Sequence, residues 1–139
     1  MAPSDLTAVR VQEMALRNAY AAGDPERCAA HHLNLANQLE HAGAEPLLYI
    51  AHRLAGGVLR FQLDSDAYPE ALGELALSYV RLAPRRPPLP ETFEELCRLV
   101  EQVEGVRFRA MVEQLGQGGG ADGDEAMHAV AGMARYMAG

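Results

Sequence analysis

Lysine is absent from this 139-residue chain, and all 12 basic residues are arginine. That excludes a P-loop lysine, a Schiff-base lysine and a lysine general base. Serine occurs only as Ser4, Ser65 and Ser78, none of them in a G-x-S-x-G elbow. The two cysteines, Cys28 and Cys97, stand alone, without C-x-x-C or metal-like spacing. Neither a disulfide framework nor a zinc site is therefore expected, and a reduced cytoplasmic setting is. No apolar stretch approaches the ~20 residues a membrane span needs. The N-terminal MAPSDLTAVRVQEM has no basic start followed by an apolar run, so no leader is expected either. A net charge of −7 opposes binding to phosphate backbones. The one basic cluster, Arg81, Arg85 and Arg86, lies among prolines without interleaved aromatics, so nucleic acid is not an expected partner.

What the chain does contain is helix punctuation. Ser4 or Asp5 can cap a first helix running to about Ala22, and Asp24 followed by Pro25 opens a second that Gly43 closes. A third helix runs from Glu45-Pro46 to Leu63, with Leu47, Ile50, Ala51, Leu54, Val58 and Phe61 at the 3.6-residue period. Gly56-Gly57 in its middle weakens propensity, so the helix bends there or another helix comes close. Asp64-Ser65-Asp66 reads as a loop, and a fourth helix from Tyr68 to Ala83 aligns Ala71, Leu72, Leu75, Tyr79 and Leu82.

PRRPPLP, residues 84–90, carries four prolines in seven positions and predicts an extended connector, the clearest internal boundary. Beyond it, Thr92 and Glu95 form a capping box before Phe93, Leu96, Cys97, Val100 and Val103, and Gly105 ends that helix. A sixth helix presents Phe108, Met111, Val112 and Leu115. GQGGGADG, residues 116–123, reads as a linker, and Asp122 or Asp124 caps a last helix with Ala126, Met127, Val130, Met133, Ala134 and Met137 on one side. β-Branched residues are sparse and no period-2 run occurs, so the expectation is one all-α domain of six or seven helices. Its parts are residues 1–83 as N-terminal hairpins, 84–90 as connector, 91–115 as a third hairpin, 116–123 as linker and 124–139 as the C-terminal helix.

Chemistry-bearing residues are few. At 100° per residue His32 falls inside the second helix's apolar face, among Cys28, Ala29, Leu35, Ala36 and Leu39. There a histidine is expected to be a core residue hydrogen-bonded to a neighbouring helix. His31 lies at the edge of that face, while Asn34, Asn37, Gln38 and His41 point away. Glu125 and His128 have the Glu-x-x-His spacing of di-iron bundles, but such sites need two copies and further glutamates. No cofactor, metal ion or catalysis is expected.

The segment LRNAYAAGDPERCAAHHLNLANQL, residues 16–39, resembles a tetratricopeptide hairpin. Leu16 and Tyr20 match its first helix; Ala29, Leu33 and Ala36 match its second. Glu13 and Arg17 depart from that pattern. Leu47, Ile50, Ala51 and Leu54, and later Phe93, Leu96, Cys97 and Val100, repeat the first-helix pattern. GDPERCAAHHLNLANQLEHAGAEP and PLPETFEELCRLVEQVEGVRF are similar to C-terminal modules of larger tetratricopeptide-type proteins of GC-rich bacteria.

The resemblance implies stacked antiparallel helical hairpins and a non-catalytic protein-interaction or scaffolding module that binds a partner protein or peptide in a helical groove. First helices of successive hairpins would line that groove: Met14, Asn18 and Ala21 from the first helix, and Tyr49, His52, Arg53 and Gly56 from the third. Asn18 would hydrogen-bond a peptide backbone or carboxylate, and Arg53 would pair with a carboxylate. Two alternatives stay open. One is a small-molecule- or metal-binding bundle in which His31, His32 or His52 converge. The other is a structural oligomerisation subunit, a homo-oligomer formed through the Met-rich C-terminal helix.

Overall fold

A computed structural model describes residues 3–63, 68–82, 86–105, 107–114 and 120–138. Among the described residues there are seven α-helices and no strand: α1 (Pro3–Ala22), α2 (Pro25–His41), α3 (Pro46–Leu63), α4 (Tyr68–Arg81), α5 (Phe93–Glu104), α6 (Phe108–Gln114) and α7 (Gly120–Ala138).

Local chemistry explains the punctuation. Asp24 is extended, and its Oδ1 accepts from the Arg27 amide at 3.1 Å while Pro25 supplies the first helical residue. Gly23 and Gly43, at φ of 67° and 76°, take the left-handed turns that end α1 and α2. Thr92 Oγ1 accepts from the Glu95 amide, and the Glu95 carboxylate reaches back to the Glu91 amide, one residue earlier than a standard capping box. No helix among the described residues is long and apolar enough to cross a membrane.

The packing is organised around α3. Every residue from Tyr49 to Leu59 is buried, because α2, α4, α5 and α7 all lie against this one helix. The Gly56 question is thereby answered by close approach: a Cβ there would stand 2.7 Å from Leu33 Cγ and 3.2 Å from the Ala29 carbonyl. Consecutive helices pack as α1 on α2, α2 on α3, α3 on α4 and α5 on α6, while α7 returns across α3, α4 and α5. In a purely one-dimensional stack each unit touches only its neighbours, so the return of α7 makes the whole a bundle closed over α3.

Several boundaries differ from expectation. Helix α7 begins at Gly120, so part of the expected linker is helical and Asp124 lies within the helix. Asp124 Oδ1 instead accepts from the Phe93 amide at 2.9 Å, capping α5 from across the fold. The α7 apolar face is also rotated: Ala126, Met127, Val130, Ala131 and Ala134 are buried, whereas Met133 and Met137 are exposed. Residues 64–66, 83–85 and 115–119, which include Leu115 and most of the linker, lie outside the described residues, as do the side chains of Ala71, Leu72 and Asp122. Non-helical as expected, residues 86–91 are tied at both sides. The Tyr79 hydroxyl donates to the Pro87 carbonyl, Arg86 Nε to the Tyr79 carbonyl at 2.8 Å, and Arg135 Nη2 to the Leu89 carbonyl at 2.9 Å.

Candidate functional site

Two polar clusters lie inside the bundle. The first crosses four helices. Tyr20 of α1 meets His32 of α2, Oη to Nε2, at 2.6 Å. Nδ1 of His32 faces Nδ1 of His52 on α3 at 3.0 Å. Nε2 of His52 lies 3.3 Å from Oε2 of Glu104 on α5, and Oε1 of Glu104 lies 3.8 Å from Arg17, back on α1. His32, His52 and Glu104 are all buried, with the edge of Phe108 closing over His32 at 6.0 Å between ring centroids.

The end of the chain sets its tautomers. An ionised carboxylate only accepts, so a neutral His52 beside it carries its proton on Nε2 and offers Nδ1 as an acceptor. His32 Nδ1–H then donates to it, which leaves His32 Nε2 to accept from the Tyr20 hydroxyl. Every nitrogen of both neutral rings has one matching partner, and the chain runs in one direction from Tyr20 to Glu104. Burial, reinforced by the neighbouring His52 and His31, holds the His32 imidazole well below its usual range. Burial likewise drives Tyr20 far above the ordinary phenol range.

The second cluster centres on Arg53 of α3. Its Nη1 donates to Ser78 Oγ on α4, and its Nη2 donates to Asn37 Oδ1 at 2.7 Å and Glu40 Oε1 at 3.0 Å on α2. Arg81 shares Glu40 at 3.3 Å, and the Tyr49 ring lies beneath the guanidinium at 5.6 Å. One arginine thus fastens α2, α3 and α4, with only its Nε left without a hydrogen bond among the described residues.

These two clusters absorb half of the expected groove. His52 and Arg53 are turned inward as cluster members, Tyr49 packs beneath Arg53, and Gly56 is pressed against α2, so among the described residues α3 lines no open groove. The physical reason is that α3 is covered by four helices instead of being exposed along one side. Met14, Asn18 and Ala21 do lie outward on α1. His32 is a core histidine bonded to neighbouring helices, as its position in the apolar face suggested. His31 turns instead to Gln12, 2.5 Å from its Nδ1, and among the described residues no three His, Cys, Asp or Glu side chains are grouped to hold a metal ion. Glu125 and His128 are both exposed. Burial pushes the Cys28 and Cys97 thiols up to about 12, despite Arg109 near Cys97, which keeps both protonated at neutral pH and unreactive as nucleophiles.

Sequence reasoning missed Glu104, Arg17 and Ser78. A signal existed for two of them: Glu104 continues the α5 face of Phe93, Leu96, Cys97 and Val100, and Ser78 sits among Leu75, Tyr79 and Leu82 on α4. Nothing comparable marks Arg17, whose side chain is largely exposed.

Among the described residues the surface carries three apolar features, one of them the exposed pair Leu77 and Val80 on α4. On α1, Val11 and Met14 are 62% and 63% exposed, and with Ala15, Asn18 and Ala22 they form an uncharged stripe opposite the buried Val9, Leu16 and Ala19. Near the C-terminus of α7, Met133, Tyr136 and Met137 are exposed, Tyr136 at 82%. An open hollow of about 370 Å³ beside the α5–α6 turn is lined by Glu101, Glu113, Arg107 and Arg109. Its mixed charges do not converge, and Arg109 is engaged by Glu94. No protein-family model matches this chain, and no match was found among curated proteins or solved structures.

Proposed function

We propose that this chain is a non-catalytic protein-interaction or scaffolding module of tetratricopeptide-like type, and that it docks a partner protein or peptide on the outer face of α1. The observation that carries this reading is the exposed stripe of Val11 and Met14, flanked by Asn18 and Ala21, on a helix whose other face is buried. Large apolar side chains grouped on one helix face are a docking feature, whereas single exposed ones are ordinary. Asn18 supplies the hydrogen bonds an incoming backbone needs. The chemistry-bearing groups support a non-catalytic role: the histidines of the relay are buried and mutually satisfied, and the thiols stay protonated. Two free thiols also fit a reduced, cytoplasmic setting.

The test is the double substitution Val11→Glu with Met14→Glu, compared with wild type for proteins retained by the tagged chain in its native cell. The reading expects specific loss of a retained partner, with stability changed by no more than about 0.5 kcal/mol because both sites are exposed. Unchanged retention, or an equal loss from Leu77→Glu on the distant exposed face of α4, would defeat it. A second reading, self-association through α7, is favoured by the exposure of Met133, Tyr136 and Met137. A monomeric mass at high concentration, identical for wild type and Tyr136→Glu, would remove that reading.

A further inference from the structure

We propose that the Tyr20–His32–His52–Glu104 chain is an acid-sensitive latch: taking up one proton in the histidine pair opens α1 away from the bundle. This does not depend on what, if anything, docks on α1.

Hydrogen-bond direction decides what an added proton does. In the neutral pair His32 Nε2 is the acceptor for Tyr20. An added proton has two places to go. On His32 it occupies Nε2, the only free nitrogen position, and makes that atom a donor. On His52 it occupies Nδ1, which would then face His32 Nδ1–H at 3.0 Å, donor against donor. The clash is relieved only if His32 gives up its Nδ1 proton and carries one on Nε2. Protons balance by a simple shift: the entering proton lands on the Tyr20 oxygen, Tyr20 passes its own to His32 Nε2, and His32 passes its Nδ1 proton to His52.

Both singly protonated forms therefore turn Nε2 into a donor, and the Tyr20 hydroxyl hydrogen loses its acceptor in both. Tyr20 is half-buried, and among the described residues its hydroxyl has no second hydrogen bond, so that hydrogen has to turn to water or to a new partner. The disturbed end of the chain is thus always the end on α1.

Of the four helices the chain joins, α1 packs on the fewest others. It packs extensively on α2 alone, and beyond that helix its one described ion pair is Arg17 to Glu104, at 3.8 Å and largely exposed. Groups around the pair do not supply an alternative home for the proton's charge next to His32. His31 of α2 acts on His32, against which the uncharged Phe108 of α6 packs; Glu13 of α1 and Glu104 of α5 act on His52; and Tyr20 of α1 is neighboured by Cys28 of α2 and by Cys97, Glu101 and Glu104 of α5. Glu13 and Glu104 lie on the His52 side. His32 is wholly buried and touches no acid, which is why an opening that hydrates it becomes favourable in acid.

The experiment is hydrogen exchange of the intact chain, read peptide by peptide and corrected for intrinsic rates, between pH 7.5 and 5.5. The latch predicts that opening of α1 rises up to roughly tenfold per pH unit below about 6.5, while α3 and α7 stay protected. His32→Gln is expected to flatten that dependence, and His31→Gln to leave it intact. Imidazole nitrogen NMR of wild type gives a reading that needs no variant: at pH 7.5 His32 carries its proton on Nδ1 and His52 on Nε2. Exchange of α1 independent of pH, loss of protection in α1 and α3 together, a flattened response in His31→Gln, or the opposite His32 tautomer would each overturn the proposal.

Discussion

The two buried clusters use the same α3 helix in opposite ways. Arg53 carries a permanent charge, pairs it with Glu40, and joins α2, α3 and α4 through directed hydrogen bonds. His52, its immediate neighbour in sequence, stands in a chain of imidazoles that reaches α1 and α5. A guanidinium does not titrate in the accessible range, so Arg53 itself remains a donor in one arrangement. An imidazole pair has several, and its hydrogen-bond directions change with each. Adjacent positions on one helix therefore provide a fixed fastening on one side of the molecule and an adjustable one on the other.

Removing the fixed cluster has the largest expected effect. Arg53→Ala leaves Glu40, Asn37 and Ser78 without their shared donor, and the loss of one partner from a buried pair costs roughly 3–5 kcal/mol. Denaturant unfolding should show this drop with little change between pH 5 and 8. Replacement by methionine, which fills the space, should recover part of it.

The adjustable cluster is sharpened by pH. His32 in the folded chain lies below its unfolded value of 6.5, so below that pH the unfolded state binds more protons. Stability therefore falls as the solution is acidified, by up to about 1.4 kcal/mol per pH unit for this one group. Glu13 acts with the opposite sign, since burial and Glu104 raise its carboxyl, but only in the carboxylate range below the histidine window. Global unfolding followed from pH 7.5 to 5.5 should show the decline, and His32→Gln should reduce its slope.

A smaller effect tests the ground between the clusters. Gly56→Ala places a methyl 2.7 Å from the Leu33 side chain, where α2 and α3 are closest. Overpacking there costs roughly 1–3 kcal/mol, against a gain of up to about 1 kcal/mol in helix propensity. Net destabilisation in thermal unfolding is the expected outcome. Leu33→Ala combined with Gly56→Ala should restore part of the loss, because it removes the side chain that is struck.

Most helix boundaries were legible because their causes are local. Asp24 before Pro25, Thr92 before Glu95 and a glycine at Gly43 act within a few residues of themselves. The start of α7 was misplaced because Asp124 looks like an N-cap for its own helix, whereas its carboxylate serves the Phe93 amide of another. His32 was legible as buried from its place in the α2 face. The groove expected on α3 was not there, because periodicity reports one favoured face and cannot report that four helices cover all of them.

By itself, then, the sequence determined the helices, the apolar faces of α2 and α5, and the burial of His32, since each follows from spacing along a single helix. Tertiary structure alone decided that Tyr20, His32, His52 and Glu104 form one chain, that Arg53 serves as an internal fastening, and that only the α1 part of the expected groove faces outward. Those outcomes depend on groups 12 to 52 positions apart meeting across helix contacts. A hydrogen bond's direction is set by the partner it finds, and a helix's own periodicity carries no record of that partner.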